Sequence, residues 1–134
     1  MAKAELFKIP LLGATIRALG TYPVDRSRGD VSAIKRSLEV LRRGGAVAIF
    51  PEGTRNRTGE IQPQSGVALL AGLSGATVVP AYVDGTGNPK HRKRITVVFG
   101  EPLRFASSRK ARREDLAKHT EEIMTRVFAL RERL

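Results

Sequence analysis

The stretch from Gly44 to Gly59 constrains the fold of this chain more than any other. Ala46-Val-Ala-Ile-Phe50 is a run of small and apolar residues, and Gly44-Gly45 ahead of it ends the preceding element. The expectation is a short buried strand over Ala46–Phe50. Pro51 has no N–H to give a ladder, so the strand stops there. Glu52, Gly53, Thr54 and Arg55 then fall at the strand's carboxyl end, where open α/β sheets keep their ligands. Gly53 lets backbone N–H groups approach an anion, and Arg55 offers a planar fork matched to phosphate or carboxylate. A plain surface turn closed by a Glu–Arg pair uses the same residues, so the block has to be judged by its neighbours.

Those neighbours read as alternating helices and strands. Ile9–Leu19 has Pro10 in its first turn, Gly20 past its end, and an apolar stripe of Leu12, Ile16 and Leu19. Thr21–Val24 is a brief extended segment. Asp30 caps the clearest helix, with Val31, Ile34, Leu38 and Leu41 spaced three and four apart and Gly44 as its stop. Ser65 opens a small-residue helix running to about Ser74. Thr77–Val83 reads as a second buried strand whose Pro80 implies an edge, a bulge or broken pairing. After a loop from Asp84 to Arg94, Ile95–Phe99 is a third strand. An amphipathic helix follows from about Arg112, with Leu116, Ile123, Val127, Leu130 and Leu134 on one face. This alternation predicts an α/β fold with a mostly parallel sheet buried on both faces, in a single domain over residues 1–134.

Composition narrows the partners. The formal charge is +11, which implies something anionic: nucleic acid, acidic phospholipid headgroups or phosphorylated small molecules. Only 5% of residues are aromatic, and the chain has no aromatic–glycine signature of an RNA-binding sheet. No cysteine is present, which excludes thiolate metal sites and a cysteine nucleophile. No run of ~18 apolar residues spans a bilayer.

Two polar segments follow extended stretches: Asp25-Arg26 after Tyr22-Pro-Val24, and Glu52 to Arg55 after Phe50. If those strands run parallel, both arginines emerge at one sheet end, within reach of Lys3, and form a phosphate site by ordinary electrostatics. A local ion pair before a helix cap is the plainer reading of Asp25-Arg26.

Taken in order, Lys3-Ala-Glu-Leu6, Ile9-Pro-Leu-Leu-Gly13, Gly20-Thr-Tyr-Pro-Val-Asp-Arg26, Phe50-Pro-Glu-Gly-Thr-Arg55 and Val79-Pro-Ala-Tyr-Val83 closely resemble the 1-acylglycerol-3-phosphate acyltransferases. The resemblance covers essentially the whole chain, and the Phe-Pro-Glu-Gly-Thr-Arg block is among that family's most specific motifs. It implies O-acyl transfer from acyl-CoA or acyl carrier protein to the free hydroxyl of 1-acylglycerol 3-phosphate, giving phosphatidic acid. It also implies a three-layer, glycerolphosphate acyltransferase-like fold against a membrane. Glu52, Gly53, Thr54 and Arg55 belong to the block holding the acceptor's phosphate, joined by Arg26 and Lys3, while Pro80 shapes the acyl region. The thioester is a co-substrate, and neither metal nor bound cofactor is implied. The expected partners are an anionic membrane surface, the lysolipid and the acyl donor, with no nucleic acid. The expected location is peripheral, on the cytoplasmic face of the cell membrane.

One departure stands out. The family's reaction rests on a His and an Asp separated by four residues, upstream of the lysine motif. The His takes the acceptor's hydroxyl proton, and the Asp orients the imidazole. Of the two histidines here, His91 has Thr96 at that spacing and His119 has Met124. No catalytic residue is therefore assigned within these residues, and His91 reads as a loop residue and His119 as a helix-face residue. The chain reads as the C-terminal two-thirds of the family domain, truncated at its N-terminus, with Leu6, Phe7, Leu11 and Leu12 short of cover. The alternative is a non-catalytic module that binds lysophospholipid or a membrane surface. A nucleic-acid-binding reading explains the charge but leaves Phe50 to Arg55 without a purpose.

Overall fold

The computed structural model describes residues 2–24, 31–53, 63–86, 94–107 and 112–134. They form a mixed helix–strand chain in two compact units, Met1–Phe50 and Pro51–Leu134.

In the first unit, β1 (Ala2–Lys3) runs into a 3₁₀ turn over Ala4–Lys8 and then α1 (Pro10–Ala18). Pro10 sits at the start of α1, where its missing N–H costs nothing. α1 folds back on the 3₁₀ turn so closely that a Cβ on Gly13 would lie 2.6 Å from the Phe7 carbonyl oxygen. Glycine is what that approach requires. The contact buries Phe7, whose ring also carries the Arg17 guanidinium at 5.3 Å. Phe7 is thus covered, contrary to expectation, whereas Leu6, Leu11 and Leu12 are exposed, Leu11 by 83%. Of the predicted stripe of α1, Leu12 and Leu19 are exposed, Leu19 by 77%, and Ile16 is half-buried. Gly13 on the inward side takes the helix surface that the stripe was expected to bury.

β2 (Pro23–Val24) pairs in parallel with β1, Ala2 opposite Pro23 and Lys3 opposite Val24. α2 (Val31–Arg42) follows. Its proposed cap, Asp30, lies outside the described residues. The buried column of α2 is Ala33 and Ser37, with Ile34, Leu38 and Leu41 half-buried beside it and Val31 exposed. The stripe was read correctly to within one helix position. Arg43 closes the end with an i,i+4 pair to Glu39 at 2.8 Å.

Residues 45–50 correct the opening expectation. They join no ladder among the described residues; Val47 and Ile49 are half-buried and Phe50 is 73% exposed. Apolar composition alone is not enough for a strand, because each backbone N–H and C=O also needs a partner.

The second unit is built on α3 (Gly66–Ser74) and α4 (Arg113–Ala129), which pack on each other. Ala68, Leu70, Ala71 and Gly72 bury the small-residue face of α3. Ile123 and Met124 of α4, and Leu130 of the 3₁₀ turn Leu130–Arg133, complete the core. Leu134, predicted on the same stripe, is exposed because the α-helix tightens before it.

β3 (Ala81–Asp84) and β4 (Thr96–Phe99) pair antiparallel, Tyr82 opposite Val98, so the sheet is not mostly parallel among the described residues. The reason is topological. Only Gly85 to Ile95 separates the two strands, and parallel neighbours need about a dozen or more residues to return. Val83, Val97 and Phe99 share one face of this hairpin and are exposed, Phe99 by 67%.

Candidate functional site

Lys3 ends β1, and its parallel partner Val24 ends β2. The strand that leads into Asp25-Arg26 therefore finishes beside Lys3. Arg26 itself lies outside the described residues. The Lys3 ammonium sits 3.2 Å from a Glu5 carboxylate oxygen, both side chains largely in water. Glu5's own backbone amide, and then Lys3, hold that carboxyl below its ordinary range. An exposed pair of this kind exchanges readily for a better anion, because water screens most of its attraction.

Tyr22 fixes this corner. Its carbonyl accepts the Ala2 N–H at 3.0 Å, and its ring lies 5.3 Å from the Arg36 guanidinium of α2. Its hydroxyl meets Ser37 Oγ at 2.5 Å, and Ser37 Oγ donates to the Ala33 carbonyl at 2.8 Å. Neither Tyr22 nor Ser37 was singled out from sequence. The only trace there is a hydroxyl placed at i+4 from Ala33 on the buried side of a helix.

In the second unit, Pro51, Glu52 and Gly53 form a turn, with Gly53 at φ +66°. That is left-handed backbone, where glycine has no Cβ penalty. The Gln64 N–H donates to the Pro51 carbonyl at 2.8 Å. Thr54 and Arg55 lie outside the described residues. Gln64 also covers Gly53: a Cβ there would sit 3.2 Å from its side-chain amide nitrogen. Glu52 is half-buried. Gln64 is a neighbour of this turn that sequence reasoning missed.

Pro80 is buried, and its carbonyl accepts the Gly100 N–H at 2.9 Å. It stands between the Val78–Leu103 bridge and the β3–β4 ladder, so pairing is interrupted at the proline as its missing N–H demands. Lys3 lies in the first unit, and Glu52, Gly53 and Pro80 lie in the second.

His119 stacks on Phe105 with ring centroids 4.3 Å apart, which makes it a half-buried helix-face residue as expected. His91 is outside the described residues. No group of three metal-ligating side chains occurs among the described residues, and no helix there is long and apolar enough to cross a membrane. What the first unit places at this corner is an exposed cation, Lys3, beside the end of β2.

Comparison with known proteins gives the class. Residues 1–84 match the family model described as Acyltransferase. The chain belongs to the acyltransferase family, with the 1-acyl-sn-glycerol-3-phosphate acyltransferases of phospholipid biosynthesis. A Bacillus subtilis protein of that name is 32% identical across 100% of this chain and 69% of its own length. A Streptococcus pneumoniae protein of the same name is 30% identical across 93% of the chain and 48% of itself. A chloroplastic one from Brassica napus is 36% identical over 65% of the chain. This chain spans only 26% of the Brassica protein. No solved structure matches the chain.

Proposed function

We propose that the chain serves O-acyl transfer from acyl-CoA or acyl carrier protein to the free hydroxyl of 1-acylglycerol 3-phosphate, giving phosphatidic acid. The family supports the acyl transfer, and the relatives' names support the acceptor. The observation that carries the reading for this chain is the β1–β2 register, which sets Lys3 beside the end of the strand entering Asp25-Arg26. In this reading, as the resemblance implies, Lys3 and Arg26, and separately Glu52, Gly53, Thr54 and Arg55, belong to the blocks that recognise the acceptor's phosphate, where ammonium and guanidinium groups suit its charge. Pro80 shapes the acyl region.

With the phosphate held, the acceptor hydroxyl gives its proton to the imidazole of the family's His–Asp pair. The freed oxygen attacks the thioester carbonyl, and the carbon–sulfur bond breaks. The imidazole then returns the proton to the departing thiolate. Neither His91 nor His119 has the spacing for this role, so the base lies outside these 134 residues. No metal or bound cofactor takes part. The exposed apolar face of β3–β4 supports the finer three-layer reading, since Val83, Val97 and Phe99 leave apolar area that a further layer would bury.

The test is acyl transfer by the chain carrying a family His–Asp segment ahead of residue 1. Transfer to lysophosphatidic acid that vanishes when the added His is replaced by Ala supports the reading. Persistent inactivity with intact lysolipid binding would favour the non-catalytic binding module.

The partner surface we propose is an anionic bilayer on the cytoplasmic side. Its anchors are the basic segments Lys90–Arg94 and Arg109–Arg113, each cation contributing ~1 kcal/mol near the surface. Sedimentation with anionic vesicles should then fall steeply as salt rises and the Debye length shrinks. Binding that ignores salt would contradict the electrostatic anchor and point to apolar insertion.

A further inference from the structure

The ladder that brings Lys3 beside Val24 is only two residue pairs long. A pairing that short is marginal in water by itself, so its position depends on what braces it. Tyr22 is the brace, bound to β1 through its carbonyl and to α2 through its ring and hydroxyl. The direction of the Tyr22–Ser37 bond follows from its neighbour. A carbonyl only accepts, so the single hydroxyl proton of Ser37 is committed to Ala33. The Tyr22 hydroxyl is therefore the donor to Ser37 Oγ. Ser37 is fully buried, out of reach of bulk solvent.

We propose that Tyr22 and Ser37 are positioning residues of the phosphate site. They lock the Lys3 ladder, and the strand entering Asp25-Arg26, onto α2. The inference rests on the phosphate reading given above. Neither hydroxyl touches the ligand; both act through Lys3 and the end of β2 at Val24.

The donor order makes the expected effects asymmetric. Ser37→Ala leaves the Tyr22 O–H buried without an acceptor, the costly kind of loss. Tyr22→Phe leaves Ser37 still donating to Ala33. The double variant removes both partners together and should behave like Tyr22→Phe rather than worse than Ser37→Ala. The readout is the ratio of affinities for lysophosphatidic acid and the monoacylglycerol of the same chain length, taken well below each melting temperature. Ser37→Ala should lower that ratio about tenfold, equivalent to ~1.4 kcal/mol, and Tyr22→Phe should lower it by less. Hydrogen exchange at the Ala2 amide should quicken in step. A melting temperature that drops while the ratio holds would overturn the proposal, leaving Ser37 a packing residue only. Should Ser37→Ala fail to fold, Tyr22→Phe and the double variant carry the comparison, and an unchanged ratio in both overturns it. If the unsubstituted chain binds both lipids equally, the phosphate reading itself falls, and this inference with it.

Discussion

Arg55→Ala should weaken binding of lysophosphatidic acid by about 1.5–3 kcal/mol, the range for a hydrogen bond to a charged group, or roughly 10- to 150-fold. Arg55 follows the turn at Gly53 by two residues in the sequence. A guanidinium that reads phosphate loses its partner when the phosphate is removed, so the same substitution should barely touch monoacylglycerol binding. Arg55→Lys should restore only part of the loss, because a point charge does not reproduce the bidentate fork. Equal weakening of both ligands would show that the arginine supports the fold rather than the phosphate.

The largest stability effect is expected at Ile123. Its side chain is 2% exposed within the packing of α3 on α4. Ile123→Ala should cost ~2–5 kcal/mol from lost burial and the cavity left behind. Total stabilities are only ~5–15 kcal/mol, so this loss is large. Phe128, a bigger side chain on the same helix, is 50% exposed, and its replacement by Ala should cost far less. Urea midpoints at unchanged m-value measure both. A Phe128 loss as large as that at Ile123 would mean that α4 presents a different face to the core.

The face of α4 was legible because apolar spacing of three and four over a long run has one helical solution, and Ile123 and Leu130 are buried accordingly. α3 was legible from its small residues and from Gly75, which ends it in left-handed backbone at φ +68°. Both strands of the hairpin were legible, but not how they pair. The stretch from Gly85 to Ile95 is too short for a parallel return, so the two neighbours pair antiparallel. Residues 46–50 mislead in the other direction, since they carry strand composition and join no ladder among the described residues. Composition reports what a segment would bury, whereas pairing depends on which backbone arrives beside it.

The site divides in the same way. The residue types of Glu52, Gly53 and Arg55 announce anion chemistry, and the turn at Gly53 follows from its glycine. That Lys3 meets Val24 is a matter of register, and a two-residue strand has no periodicity to read. The Tyr22–Ser37 bond joins residues 15 positions apart, and nothing local to either residue encodes it.

The central claim is that this chain recognises a lysolipid by its phosphate, and a single paired titration tests it most directly. Lysophosphatidic acid and the monoacylglycerol of equal chain length are titrated into the unsubstituted chain at low and at moderate salt. The account predicts that the phosphorylated lipid binds at least tenfold more tightly and that rising salt narrows the gap. Equal affinity for the two lipids at both salt concentrations would contradict it.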